Sequence, residues 1–350
     1  MICVIRVDSS SLIGSGHLMR CITLADKMKK KKNADVHFVC RDLEGNLSQL
    51  VVSHGHQLHL LPSVEKNNNL EGYAAWLTVS QERDAAETIS ILKEIIPDGK
   101  SLSRLVVDSY AIDIEWEQQL RPYTEEIFVI DDLANRHHDC DVLLDQNLSE
   151  NMSRKYNGLL PENCQILIGP KYVLLRDEFI EARKQLKTRD GNINNVLVFY
   201  GGSDVTNETM KALVALSELV DYNYKLNIDV IVGGSNPHKK EIESYCKNKK
   251  YMHYYCQVNN MAEFMLKADL FIGAGGATTY ERCYLRLPSI VTSIAENQRD
   301  GSEYFGRIGI FEYVGYMENI ESIHIIEAVK KLMIKNKYFC IIKNMEKYFD

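Results

Sequence analysis

No Cys-x-x-Cys pair and no cysteine–histidine ligand spacing occurs in this chain of 350 residues, although it carries nine cysteines. That argues against structural zinc and against a disulfide framework. Cys3 and Cys40 sit in apolar, strand-like runs, so the cysteines read as buried reduced thiols of a cytoplasmic protein. The start, Met1-Ile2-Cys3-Val4-Ile5-Arg6, lacks the basic region and long apolar stretch of a signal peptide. No run approaches the ~18 apolar residues of a membrane span, so no membrane partner is expected. Positive charge is not in excess either. The net charge is −7, and no nucleic-acid partner is expected. The basic run Lys29 to Lys32 closes a helix, where cations complement the helix dipole.

What is present is globular. Hydrophobic residues make up 45% and charged residues 25%, and the length suits two domains of ordinary size. Apolar, β-rich runs fall at Ile2–Val7, Val36–Cys40, Gln57–Leu61, Leu105–Val107, Ile127–Ile130 and Val142–Leu144. Helical periodicity between them fits Leu18–Met28, Ser80–Ile96 and Ile114–Leu120. Such alternation predicts a parallel sheet with helices on both faces. The pattern pauses over residues 146–170, and a helix at Asp177–Leu186 and a polar linker at Thr188–Asn195 follow. It then restarts with strands at Val196–Tyr200, Ile228–Val232, Leu270–Ile272 and Ser289–Thr292, and a helix at Asn207–Leu219.

The expected fold class is therefore α/β, with two doubly wound, Rossmann-like domains facing across a cleft. Residues 1–170 form the first domain, 171–195 a linker helix and connection, and 196–330 the second domain. Residues 331–350 form a helix expected to fold back on the first domain. The cleft is the expected ligand site, because ligands bind such sheets at the carboxyl ends of the strands.

The segment Arg6 to Arg20 runs from a strand through Gly14-Ser15-Gly16-His17 into a helix. Free N–H groups at the helix start suit a phosphate, and Gly14 and Gly16 let a ligand approach the backbone. No Gly-Lys-Ser/Thr follows, so this is not a Walker loop. His17 lies in the first turn and is either a proton-accepting base or a capping and packing residue. Val106-Val107-Asp108-Ser109-Tyr110 ends another strand, and Asp108 either serves the same site or caps the next helix. Asp131 and Asp132 end a third strand; paired carboxylates alone are poor evidence for a metal, and none is assigned. In the second half, Ile272-Gly273-Ala274-Gly275-Gly276-Ala277-Thr278-Thr279-Tyr280-Glu281 again runs from strand through glycines into helix. Gly275, Gly276, Ala277 and Thr278 are expected to bind a diphosphate. Glu281, about one turn into the helix, either binds ribose hydroxyls or serves the helix dipole. The amides of Asn297 and Gln298 could hold sugar or phosphate.

Together these segments resemble the UDP-2,4-diacetamido-2,4,6-trideoxy-β-L-altropyranose hydrolases of pseudaminic acid biosynthesis. The resemblance runs from Arg6–Arg20 through Asp108-Ser109-Tyr110, Asp131-Asp132, Leu174-Leu175-Arg176-Asp177-Glu178-Phe179 and Gly201-Gly202-Ser203-Asp204 to Glu296-Asn297-Gln298. That family is similar in architecture to the GT-B glycosyltransferases, particularly the lipid II-forming N-acetylglucosaminyltransferase. The resemblance implies release of UDP and the free 6-deoxy sugar, with His17 as catalytic base. It also implies substrate contacts from Tyr110, Arg176 and Asn297, and uracil and ribose contacts in the second domain that point to Glu281. Two departures stand out: Ser109 lies where a histidine or a similar residue is expected, and Gly273-Ala274-Gly275-Gly276 is richer in glycine than in some relatives.

UDP leaves as a stable anion, so a general acid can be dispensed with, and one base plus stabilisation of the diphosphate suffices. The expected reaction is water attack at C1 with inversion, without cofactor or metal, on a small-molecule UDP-sugar. The alternatives are a GT-B-type glycosyltransferase on a related UDP-sugar, a hydrolysing UDP-sugar 2-epimerase, and a non-catalytic binding protein.

Overall fold

The computed structural model describes residues 1–64, 70–276 and 278–349. They form two compact units, Met1–Leu174 and Leu175–Asp350. In the first, β1 (Ile2–Val7), β2 (Asp35–Arg41), β3 (Gln57–Leu61), β4 (Arg104–Asp108), β5 (Ile127–Ile130), β6 (Val142–Asp145) and β7 (Gln165–Ile168) make one parallel sheet. The helices are α1 (Gly16–Lys32), α2 (Gln49–Ser53), α3 (Gln81–Ile95) and α4 (Ile114–Leu120). Both sheet faces are covered, which is why the central strands read as continuous apolar runs. Cys3, Ile5 and Val7 pack with Leu18, Ile22 and Ala25 of α1, while Val4, Val107 and Val129 pack with Leu92 and Trp116.

The strand order β3-β2-β1-β4-β5-β6-β7 reverses between β1 and β4, where Val7 stands in register with Asp108. Loops leave the two strands in opposite directions at such a switch point and open a crevice. The glycine–histidine loop and Asp108 both lie there. Lys29 to Lys32 fill the last turn of α1, and Asn33, left-handed at φ 48°, donates its N–H to the Lys29 carbonyl. The basic run thus closes a helix, as read.

The second unit repeats the plan with β8 (Asn195–Phe199), β9 (Asn227–Val232), β10 (Met252–Cys256), β11 (Leu270–Ala274), β12 (Ser289–Ser293) and β13 (Glu312–Tyr316). Its helices are α5 (Asp177–Arg183), α6 (Glu208–Asp221), α7 (Lys239–Lys247), α8 (Met261–Lys267), α9 (Thr278–Tyr284), α10 (Arg299–Arg307), α11 (Ser322–Leu332) and α12 (Lys335–Phe349). The sheet is parallel, ordered β10-β9-β8-β11-β12-β13, with its own switch point between β8 and β11. The loops there are Gly201-Gly202-Ser203-Asp204 and Gly275-Gly276. Asp204 is buried, and its carboxylate accepts the N–H groups of Glu208 and Thr209 at 2.9 and 3.0 Å, so it caps α6.

Three strands absent from the sequence reading, β7, β10 and β13, are edge strands. Each is half open to solvent, and none carries the unbroken apolar run that marks a central strand. The stretch 188–195, read as a linker, is pinned within the second unit: Arg189 donates from Nε to the Arg286 carbonyl at 3.0 Å and from Nη1 to the Ala268 carbonyl. In α12, Tyr338 donates to the Asp269 carbonyl at 2.8 Å and Glu346 pairs with Arg286 at 2.8 Å, all inside this unit. Among the described residues no helix is long and apolar enough to cross a membrane.

Candidate functional site

The chain leaves β1 through a compact turn. Ser10 accepts the N–H groups of Leu12 and Ile13 through its hydroxyl at 3.2 and 3.0 Å, and Gly14 donates to the Ser10 carbonyl at 2.9 Å. Gly14 has φ +79°, the left-handed region that favours glycine. A Cβ on Gly14 or Gly16 would meet nothing within 4 Å, so the chain itself does not fill the space beside this loop. His17 is the second residue of α1, and its side chain is 11% exposed.

Asp108, at the end of β4, is fully buried beneath it. The His17 Nδ1 lies 2.6 Å from Asp108 Oδ1. Arg20, one turn further along α1, grips the same carboxylate with both prongs: Nε to Oδ2 and Nη2 to Oδ1, each at 2.6 Å. Its Nη2 also stands 3.1 Å from His17 Nδ1, and the Cys21 thiol donates to Oδ2 at 3.3 Å. Burial alone would raise the Asp108 carboxyl, but Arg20 and then His17 outweigh it and hold the group well below the usual range. An ionised Asp108 accepts a hydrogen from Nδ1 of His17 and so orients the ring, with Nε2 as its other nitrogen. Among the described residues no hydrogen bond engages Nε2. The sequence left Asp108 open between site residue and helix cap; the structure gives it to His17 and Arg20, while Asp113 caps α4 by accepting the Glu115 N–H at 2.9 Å.

Tyr110 extends the site. Its hydroxyl donates to Asp132 Oδ1 at 2.5 Å, and its ring meets the His17 ring edge-on at 4.6 Å between centroids. Burial first, then the Asp132 carboxylate, pushes the phenol well above its ordinary value, so the hydroxyl stays protonated. The adjacent carboxylates divide their labour. Asp132 faces Tyr110, Asn147 (2.9 Å) and Arg20 (3.5 Å). Asp131 is fully buried, paired to Arg136 at 2.7 Å and to the Ala134 N–H at 3.0 Å, and shapes the turn. Asp8 is structural too. It joins a buried network in which Arg6 bonds Asp8 at 2.6 Å and Asp84 at 2.7 Å, and Arg41 and Trp116 reach Asp84 at 2.6 and 3.0 Å. Arg6 and Asp8 thus lock the floor of the loop.

Tyr73 and Trp76, from a single helical turn at Gly72–Trp76, were not singled out from the sequence. They stand against Tyr110 at 5.0 and 5.4 Å between ring centroids. Among the described residues no cluster of three His, Cys, Asp or Glu side chains is arranged to hold a metal ion. Both carboxylates of Asp139-Cys140-Asp141 are occupied by Arg121, at 3.1 and 2.5 Å.

In the second unit, Gly275 is packed so closely that a Cβ would lie 2.1 Å from the Ser302 hydroxyl, whereas one on Gly276 would make only an ordinary contact with Gln298. Ala277 lies outside the described residues. Gln298 closes the next loop, accepting the Ile294 N–H at 3.1 Å, and Asn297 beside it is exposed. Glu281 and Arg176, read separately from the sequence, meet: Arg176 Nε donates to Glu281 at 2.9 Å, while its Nη1 pairs with Glu178 at 2.6 Å. Burial raises the Glu281 carboxyl, and Arg176 opposes that shift. Arg282, missed in the sequence, is fully buried behind the glycine loop. It donates to the Ala274 carbonyl at 3.1 Å and to the Thr279 hydroxyl at 3.0 Å, and stacks on Phe271. Among the described residues it forms no ion pair, and burial pulls it down to about 10. The neighbouring Glu281 carboxylate opposes that shift only in part.

Comparison with known proteins gives these elements a setting. Residues 195–347 match the glycosyltransferase family 28 C-terminal domain. An uncharacterized protein of Methanocaldococcus jannaschii is 27% identical over 307 residues, 85% of this chain and 56% of that protein, so the chain spans about half of that relative. A UDP-2,4-diacetamido-2,4,6-trideoxy-beta-L-altropyranose hydrolase of Campylobacter jejuni subsp. jejuni is 25% identical over 305 residues, 87% of this chain and 96% of the relative. Among solved structures, MurG of Acinetobacter baumannii superposes with a TM-score of 0.65 at 11% identity, covering 99% of this chain and 94% of that one. A UDP-glucosyltransferase from Polygonum tinctorium gives 0.70 at 12% identity, covering 99% and 93%. The chain has the two-domain, Rossmann-like GT-B fold, and its sequence resembles the hydrolase over most of its length.

Proposed function

We propose that this protein hydrolyses UDP-2,4-diacetamido-2,4,6-trideoxy-β-L-altropyranose to UDP and the free 2,4-diacetamido-2,4,6-trideoxy-L-altrose, a step of pseudaminic acid biosynthesis. The observation that carries the reading is the Asp108–His17 couple at 2.6 Å, with the second imidazole nitrogen free of partners among the described residues. A carboxylate that fixes the tautomer of a histidine and steadies its charged form makes it an effective base. His17 takes a proton from water, the water oxygen bonds to C1, and the C1–O bond to the diphosphate breaks with its electron pair leaving on UDP. Attack from the face opposite the leaving group inverts C1.

In the second unit, Glu281 is assigned to the ribose hydroxyls. The backbone of Gly275 to Thr278, with Asn297 and Gln298, is assigned to the diphosphate. The fully buried guanidinium of Arg282 behind that loop supports an anion there. Arg176 supports the nucleotide site through Glu281, and Gly14, Gly16 and Tyr110 attend the sugar. Helix-start amides and Arg282 do for the leaving group what a metal ion does elsewhere.

Incubation with the UDP-sugar and no acceptor tests the reading by UDP release. A transferase would require an acceptor, and a hydrolysing 2-epimerase would exchange the C2 proton with deuterated solvent. Proton NMR of the first-formed anomer tests inversion; net retention contradicts direct attack by water.

A further inference from the structure

Two aromatic residues of the first unit's site, Tyr73 and Trp76, have no task in the chemistry above. Tyr73, Trp76 and Tyr110 form a continuous aromatic cluster beside the candidate base. Trp76 and Tyr110 stack at 5.4 Å and 30°, and Tyr73 meets Trp76 at 4.9 Å and Tyr110 at 5.0 Å. The His17 ring stands edge-on to Tyr110 at 4.6 Å and to Trp76 at 5.8 Å. Trp76 rests partly on the core of this unit, which fixes its ring. Tyr73 is different. It is 37% exposed, so the core does not require it, yet it continues the wall outward. The open space at Gly14 and Gly16 belongs to the same His17 loop. Polar groups in this site are already engaged with one another: Asp132 with Tyr110 and Asn147, and Asp108 with Arg20 and His17. The surface left for a sugar is thus mainly ring face and ring edge.

We infer that Tyr73 and Trp76 form an apolar subsite that selects the sugar by its methyl groups. The inference rests on the hydrolase reading and deepens it. The proposed substrate carries three methyls on its pyranose, two on the acetamido groups and one at C6. Aromatic rings take such groups in preference to hydroxyls, which would lose water without gaining a hydrogen bond.

The test uses Tyr73→Ala, Trp76→Leu and wild type, checked for folding by circular dichroism. Each is assayed with UDP-2,4-diacetamido-2,4,6-trideoxy-β-L-altropyranose and with UDP-N-acetylglucosamine, which has one acetamido methyl and a C6 hydroxyl. The expected result is a rise in KM for the diacetamido sugar of about three- to tenfold per ring. Inhibition by UDP should stay unchanged, and the preference over UDP-N-acetylglucosamine should shrink. An unchanged KM and preference in Tyr73→Ala, whose exposed side chain the fold does not need, overturns the inference. If wild type releases no UDP from either sugar, the hydrolase reading itself fails. Saturation-transfer NMR with the intact UDP-sugar then decides the subsite. Methyl signals that are strongest in wild type and lost in Tyr73→Ala support it; uniform saturation, or no binding, overturns it.

Discussion

At the scale of single residues, Asp108 decides what His17 can do. Asp108→Asn keeps the shape but removes the charge that holds Nδ1 protonated, and leaves Arg20 facing a neutral amide. UDP release should fall about 10²-fold or more, with UDP affinity unchanged, as steady-state kinetics and calorimetry would record. The same carboxylate leaves a signature in stability. Its folded-state pKa lies below the unfolded one, so the stabilisation is complete above about pH 4 and is lost as pH falls through the folded value. Urea unfolding at pH 5 and pH 3 should therefore show wild type losing more stability than Asp108→Asn; equal losses would contradict the pairing. Little of this was legible beforehand. An Asp at a strand end suits a helix cap as well as a site, and only the register of Val7 with Asp108 brings it under His17. Trp76 was hidden for a similar reason, because its short helical turn carries no periodicity to mark it.

At the scale of elements, the loops owe their shape to contacts that sequence patterning does not express. Gly275→Ala would drive a methyl to 2.1 Å from the Ser302 hydroxyl. The cost should be about 1–3 kcal/mol by denaturant melts, and Ser302→Ala should recover most of it. Additive losses in the double variant would contradict the contact. In the first unit the Arg6–Asp8–Asp84–Arg41 network anchors the strand that feeds the His17 loop. Asp84→Ala strands two buried guanidinium groups and should cost about 3–5 kcal/mol. The central strands were readable from their apolar runs, since both of their faces are buried. The edge strands β7, β10 and β13 were not, because half-exposed residues such as His253, Tyr255 and Glu312 mask the strand signal. Arg282 was missed because an arginine in a helix normally signals a solvated face, whereas here it is fully buried.

At the scale of the whole molecule, the proposed function requires a chain of net charge −7 to bind an anionic UDP-sugar. On that reading local charge counts for more than the total, since Arg282 lies fully buried behind the glycine loop of the second unit. UDP alone should therefore stabilise the protein, by about 2.7 kcal/mol at one hundred times its Kd. Activation of water by His17 against a UDP-sugar is tested by UDP release from UDP-2,4-diacetamido-2,4,6-trideoxy-β-L-altropyranose, without acceptor, by wild type and His17→Asn. Wild type should release stoichiometric UDP and free sugar, and His17→Asn should lose about 10²-fold or more with UDP binding intact. Equal turnover by the two enzymes, or no UDP from wild type until an acceptor is added, would contradict it.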